Sequence, residues 1–530
     1  MNSVLVVVFS SLVFLFGISV YANKLEKLFE LRSSEKTPAY TRYDGIDYVP
    51  AKNWLILFGH HFSSIAGAAP IVGPIIAVSI WGWFPVAVWI VLGSVFIGGL
   101  HDFSALCISV KKDGETIGQI AKDVISYKAR SVFSFFILLT LLLVISVFVY
   151  LCAKTFVTDP HIVIPSLGLI PVALICGIFI YKLKKNQFKV TIFGLLLLFL
   201  LILAGRIVSV CERLEVWIIL LLVYAFFAST APVHLLLQPR DYLSAYLLFF
   251  GIATGYTGIF LSHPEIHIPS FIKTEYPLWP FLFVTVACGA VSGFHSLIAT
   301  GTTSKQLANQ MDAKKIGYGA MILEGALALL SLLCIASGIK DYRMLKEVIS
   351  KGGPILVFSK GFGAVTSPIL RGFGETIAVV ILNTFILTTL DTATRISRHV
   401  FSELTGIKNR FITTAFILGL AGILSFSGKW RLIWPAFGAS NQLLAVFTFF
   451  VVTGWLFSKK KKIKLILSLT TFVFLTTFSS LFLQILTYIK KTQYILFSIS
   501  AILLILSLFL LVESLRKIIK KWVLQKGADL

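Results

Sequence analysis

Charge is scarce in this 530-residue chain. Asp, Glu, Lys and Arg make up 13% of it, against 57% hydrophobic residues, and mean hydropathy is +0.90. That balance excludes a soluble globular domain. Long polar stretches are also missing: the longest intervals, 22–53 and 339–371, are too short for a separate folded domain. There are only six cysteines (Cys107, Cys152, Cys176, Cys211, Cys288, Cys334), in or beside apolar runs and without a CxxC pair. No disulfide framework or zinc-ligand spacing is visible, so they read as small buried hydrophobes. HExxH, a nucleophile elbow and paired catalytic carboxylates are absent, and so is a Walker A sequence. No catalytic residue, metal site or ATP-driven step is assigned, and the chain does not read as an enzyme.

What fills the space is apolar. Runs near twenty residues recur from end to end, the pattern of an all-α, polytopic integral membrane protein. The opening run lacks a basic n-region and an A-x-A-type cleavage site, so it reads as a retained helix, not a signal peptide. Hydropathy predicts fifteen spans between residues 2 and 515. With loops alternating across the membrane, one set carries 33 of the 47 Lys and Arg and the other 14. That bias puts the richer set in the cytoplasm, with the N-terminus outside and the C-terminus inside. It also explains the net charge of +23 without nucleic acid. Within 339–371, Tyr342, Leu345, Val348 and Ile349 share a helical face, which predicts an interfacial helix.

Three spans have polar interiors. Residues 58–74 read Phe-Gly-His-His-Phe-Ser-Ser-Ile-Ala-Gly-Ala-Ala-Pro-Ile-Val-Gly-Pro. Irregular backbone at membrane depth survives only where protein or a watery cavity satisfies it, and in transporters that is where substrate binds. A second interruption is predicted in span 214–237, at Ser229, Thr230, Pro232 and His234. Counted from the first, the second is span six. A five-span repeat inverts its copy, so a LeuT-like core with broken helices opening each repeat is expected. Its expected divisions are an N-terminal helix and loop (1–53), two repeats (54–207 and 208–393) and peripheral helices (394–530) that support the core or form an oligomer interface. The third is 288–305, where Ser296, Thr300 and Thr303 suit either a sodium site, since hard cations take oxygen ligands, or close helix packing.

Ionisable groups at depth default to functional roles. Asp102 and Glu324 are candidates to carry a coupling proton, because desolvation raises a carboxylate's proton affinity. Asp391 and Arg395 are i,i+4 and predict a mutual ion pair; Glu375, near a helix end, is expected to reach water. His60 and His61 are adjacent and point roughly 100° apart on a helix. His60, His234 and His295 are expected to converge on one site. Neutral histidine suits a proton-linked carrier; a metal site is the rival reading.

The chain is similar to the carbon starvation protein A family in Arg-Tyr-Asp-Gly-Ile-Asp-Tyr-Val-Pro (42–50), Leu-Phe-Gly-His-His-Phe-Ser-Ser-Ile-Ala-Gly-Ala-Ala-Pro-Ile-Val-Gly-Pro (57–74) and Leu-Leu-Gln-Pro-Arg-Asp-Tyr-Leu (236–243). It is similar again in His-Ser-Leu-Ile-Ala-Thr-Gly-Thr-Thr-Ser-Lys (295–305), Thr-Thr-Leu-Asp-Thr-Ala-Thr-Arg-Ile-Ser-Arg (388–398) and Trp-Pro-Ala-Phe-Gly-Ala-Ser-Asn-Gln-Leu (434–443). The resemblance implies a bacterial inner-membrane nutrient transporter, taking peptides in some members and pyruvate with a proton in close relatives. The combined expectation is a secondary active symporter for di- or tripeptides or a small carboxylate, with pyruvate/proton symport as the alternative and a membrane-embedded enzyme or sensor as a distant one. His60, Ser63, Ser64, Gly67, Ala68, Ser229, Thr230, His234 and His295 are expected to bind substrate. Ser296, Thr300, Thr303, Glu324 and Asp102 are expected to serve a proton or sodium ion.

Overall fold

The computed structural model describes residues 2–233 and 235–528, without the side chains of 431, 432, 495, 496 and 518–528. His234, one of the expected substrate ligands, lies outside the described residues. The described residues form helices and no strand. In chain order these are α1 (Ser3–Phe29), α2 (Trp54–Ile65), α3 (Ala69–Trp81), α4 (Trp83–Lys111), α5 (Ile117–Val124), α6 (Tyr127–Thr158), α7 (Pro160–Lys182), α8 (Gln187–Ile207), α9 (Leu214–Thr230) and α10 (Leu237–Ser262). The second half holds α11 (Leu278–Thr285), α12 (Gly293–Ile298, continuing to Thr303), α13 (Gln310–Gly338), α14 (Tyr342–Leu370), α15 (Gly374–Thr405), α16 (Arg410–Phe426), α17 (Trp430–Ser458), α18 (Lys464–Lys490) and α19 (Tyr494–Ala528).

Among the described residues, eleven stretches are long and apolar enough to cross a membrane, or twelve with α2 and α3 as one span bent by 41°. The shortfall from fifteen has a local cause: α9 and α16 have only 17 residues each, and 278–303 is split into pieces.

The first expected interruption is present: residues 66–68 are non-helical between α2 and α3. The second lies elsewhere than expected. At 231–236 one helix ends and another begins; Ala231 is extended (ψ 155°), as the residue before a proline prefers, and α10 starts at Leu237. The second broken span is 278–303, non-helical from Val286 to Ser292. The apolar residues after Pro232 make a boundary between helices resemble a gap inside one.

Four helices, α6, α9, α15 and α16, all pack on one another. Beside them the bent pair α2/α3 packs with α4 and α13, and α12 joins α4. α10 lies along α2, and α17 lies along α12. The best apolar window of α17 is 94% buried, whereas those of α18 and α19 are 44% and 28% buried. The expected face of α14 is inward: Leu345 and Val348 are buried and Tyr342 half-buried. A left-handed glycine, Gly353 (φ 69°), breaks this helix, a conformation that costs a side-chain-bearing residue. The helix packs against α3, α10, α13 and α15.

Candidate functional site

Two buried polar networks lie beside α2. His60 and His61, consecutive on α2, diverge as helix geometry requires. His60 Nδ1 is 2.7 Å from Asp241 Oδ2 on α10, and Ser63 donates to the Asp241 backbone carbonyl at 2.8 Å. Arg240 ties Asp241 (2.9 Å) to Asp391 on α15, and Tyr224 of α9 bonds Asp391 at 2.5 Å. His61 Nδ1 instead lies 2.8 Å from Thr303 Oγ1. Gln306 stands beside His60 Nε2 at 3.4 Å.

The second network joins α4, α12 and α13. Asp102 bridges His101 Nδ1 (2.8 Å) and His295 Nδ1 (2.7 Å). The other ring nitrogen of His295 lies 3.1 Å from Glu324 Oε2, but not in hydrogen-bond geometry. Asp102, His295 and Glu324 are fully buried. Both Glu324 oxygens and Nε2 of His61, His101 and His295 have no hydrogen-bond partner among the described residues. Unpaired buried polar atoms are costly, and a proton placed among these would relieve part of that cost.

At the break, Ser64 Oγ is 3.3 Å from Thr392 Oγ1, and its carbonyl accepts from Thr389 at 3.4 Å. A Cβ on Gly67 would meet Thr389 Oγ1 at 2.7 Å, so only glycine admits this approach. Gly67 and Ala68 are buried, and their N–H groups donate to no acceptor among the described residues.

Other expected site residues are used differently. Ser229 and Thr230 donate to the Phe226 carbonyl of their own helix and join neither network. Ser296 donates to the Gly293 carbonyl and pairs with Thr448 at 2.8 Å. Thr300 donates to the Ser296 carbonyl and accepts the Ile117 N–H. Asp391 does not pair with Arg395. It pairs with Arg240, and Arg395 reaches Asp47 at 2.8 Å. His60 and His295 lie in separate networks instead of converging. Glu375 is exposed, as expected.

Sequence reasoning passes over Arg240, Asp241, Tyr224 and Asp47. The adjacency of Arg and Asp after Gln-Pro, at the mouth of an apolar run, is the available signal. Asp47 binds Arg395 and lies near Arg398 (3.9 Å) and His399 (3.5 Å). Burial opposes its ionisation, but His399, Arg395 and Lys305 outweigh it and hold its carboxyl well below the usual carboxylate range. Loop 42–52 is further tied to the core by Val233 N–H to Ile46 O (3.3 Å) and Ala51 N–H to Gln306 O (2.9 Å). The six cysteines are free, and all but Cys211 are buried.

The family model of carbon starvation protein CstA matches residues 2–346 and 337–481. The chain belongs to the CstA family. It is 31% identical to the peptide transporter CstA of Helicobacter pylori strain 26695, over 86% of this chain and 78% of that one. It is 30% identical to the pyruvate/proton symporter BtsT of Escherichia coli K12, with the same coverage, and 30% identical to the peptide transporter CstA of Bacillus subtilis 168, over 84% of each. Among solved structures it is similar to a manganese transporter of Eremococcus coleocola crystallised with an aromatic bis-isothiourea compound, at TM-score 0.54 and 11% identity, covering 90% of this chain and 99% of that one. That likeness concerns the fold alone. This CstA-family chain is a multi-pass membrane transporter, and the relatives and the structural neighbour named above are transporters too.

Proposed function

We propose that this CstA-family chain imports a small carboxylate-bearing nutrient by proton symport across a bacterial inner membrane, with the N-terminus outside. The unpaired N–H groups of Gly67 and Ala68 carry the reading. They immediately precede the start of α3, where backbone N–H groups and the helix dipole favour an anion. His60, Ser63 and Ser64 border the break from α2.

Alternating access would move α2/α3, α4, α12 and α13 against α6, α9, α15 and α16. An inverted repeat with revised bounds fits this division. Its halves are α2/α3, α4, α6, α9, α10 and α11/α12, α13, α15, α16, α17, with α7 and α8 inserted in the first. Corresponding helices match in length: α4 and α13 have 29 residues each, α6 and α15 have 32, and α9 and α16 have 17. The Lys and Arg bias supports the orientation.

The coupling proton would reside on the Asp102–His295–Glu324 group. A proton is favoured over sodium because Ser296, Thr300 and Thr303 are each engaged by protein partners, leaving no convergent set of free hydroxyls. Apolar side chains exposed on α1, α18 and α19 would meet lipid or a second copy. Peptide is the first substrate reading and pyruvate the second, each after a relative of that name. The test is uptake of labelled dialanine and labelled pyruvate into proteoliposomes, with proton and sodium gradients imposed in turn. Accumulation driven by the proton gradient supports the proposal. Uptake indifferent to both gradients rejects it.

A further inference from the structure

A cavity of about 290 Å³ opens between α3, α6, α14, α15 and α17; Val72, Lys154, Asp159, Pro354, Glu375 and Trp430 are among the residues that line it. It lies far from loop 42–52. Asp47 meets α15 at Arg395, whereas the cavity meets α15 at Glu375; twenty helical residues separate these contacts by about 30 Å. With the N-terminus outside, the cavity opens to the outside.

Its depth is informative. The Val72 N–H donates to the Ala68 carbonyl at 2.9 Å, so the cavity reaches the first turn of α3, directly beyond the break. Its charge is informative too. Lys154 and Glu375 line one space, yet neither has an ion-pair or hydrogen-bond partner for its charged group among the described residues. Asp159 is partly committed, since its carboxylate accepts the His161 N–H at 3.2 Å. Unpaired opposite charges across a small cavity suit a ligand that brings both complements. A pocket near 300 Å³ is at the small end of ligand sites.

We propose that this cavity is an entry subsite for a small zwitterion, with Lys154 receiving its carboxylate and Glu375 its ammonium group, ahead of transfer to the break at Gly67. It rests on the transport reading and adds a selectivity that reading does not require. A ligand with both termini charged satisfies both walls. Pyruvate or an N-blocked peptide satisfies only Lys154 and leaves Glu375 without a partner.

The test is equilibrium binding of labelled dialanine and labelled N-acetyl-dialanine to the purified full chain, by scintillation proximity. The wild type should bind dialanine about tenfold more tightly, the scale of one charge-assisted hydrogen bond. Glu375→Gln should erase that difference, and Lys154→Gln should weaken both ligands about tenfold. Both side chains border solvent, so folding should be unaffected, which a matched thermal transition would verify. If dialanine binds and the discrimination is the same in wild type and Glu375→Gln, the subsite is overturned and the transport reading stands. If the binding pattern is as expected but uptake ignores both gradients, the symport reading fails and the subsite stands.

Discussion

His295 Nε2 lies 3.1 Å from Glu324 Oε2, and neither atom has a hydrogen-bond partner among the described residues. The opposite nitrogen of the same ring is 2.7 Å from Asp102. One histidine on a broken span therefore touches carboxylates from α4 and α13. A proton arriving between His295 and Glu324 would convert a bare contact into a charge-assisted hydrogen bond, altering how α12 is held against α13. On the proposed symport reading, that contact would link protonation to movement of the interrupted helices.

Removing one member of the other network should damage the fold. Arg240 and Asp391 are buried together. Asp391→Asn leaves the guanidinium with less compensating charge, and breaking a buried pair in this way costs about 3–5 kcal/mol. A lowered thermal unfolding midpoint, with loss of folded protein in membranes, is the expected outcome. An unchanged midpoint would show that Asp241 alone compensates Arg240.

Gly67 has a steric role that a double mutant isolates. Gly67→Ala places a methyl group 2.7 Å from Thr389 Oγ1 and should abolish transport. Thr389→Ala removes that oxygen, so the double variant should recover part of the rate. Strict additivity of the two losses would mean that the sites do not interact.

Asp47 latches loop 42–52 to the end of α15. Asp47→Asn should raise amide hydrogen exchange across 42–52 by about tenfold or more, while α6 and α15 keep wild-type protection. The pH dependence has a definite sign. A depressed carboxyl pKa stabilises the latch at every pH above the ordinary carboxylate value of about 4. That stabilisation is lost only as pH falls below this range towards the folded-state value. Exchange in 42–52 should therefore be independent of this group between about pH 5 and 8. A marked opening between about pH 5 and 8 would contradict this account of the latch.

Much of the architecture is legible in the amino-acid sequence. Hydropathy locates the helices, because a chain crossing hydrocarbon must satisfy its backbone within helices. Glycine and proline mark the break at Gly67, and the divergence of His60 and His61 follows from helical rotation. Partnerships between distant segments are not legible. Asp391 and Arg395 are one turn apart and invite a local pair, but tertiary packing gives each a remote partner, Arg240 and Asp47. Ser229 and Thr230 look like cavity groups because a hydroxyl's bond to its own helix leaves no trace in composition. The second interruption is misplaced for a related reason: Pro232 signals a stop, but not whether a new helix follows.

The proposal that the Asp102–His295–Glu324 group holds the coupling proton requires the Glu324 carboxylate. Its most direct test is accumulation of labelled substrate in proteoliposomes under an imposed proton gradient, wild type beside Glu324→Gln, with counterflow exchange measured in the same vesicles. The account predicts that the variant loses accumulation against a gradient and retains exchange. Undiminished proton-driven accumulation by Glu324→Gln would contradict it.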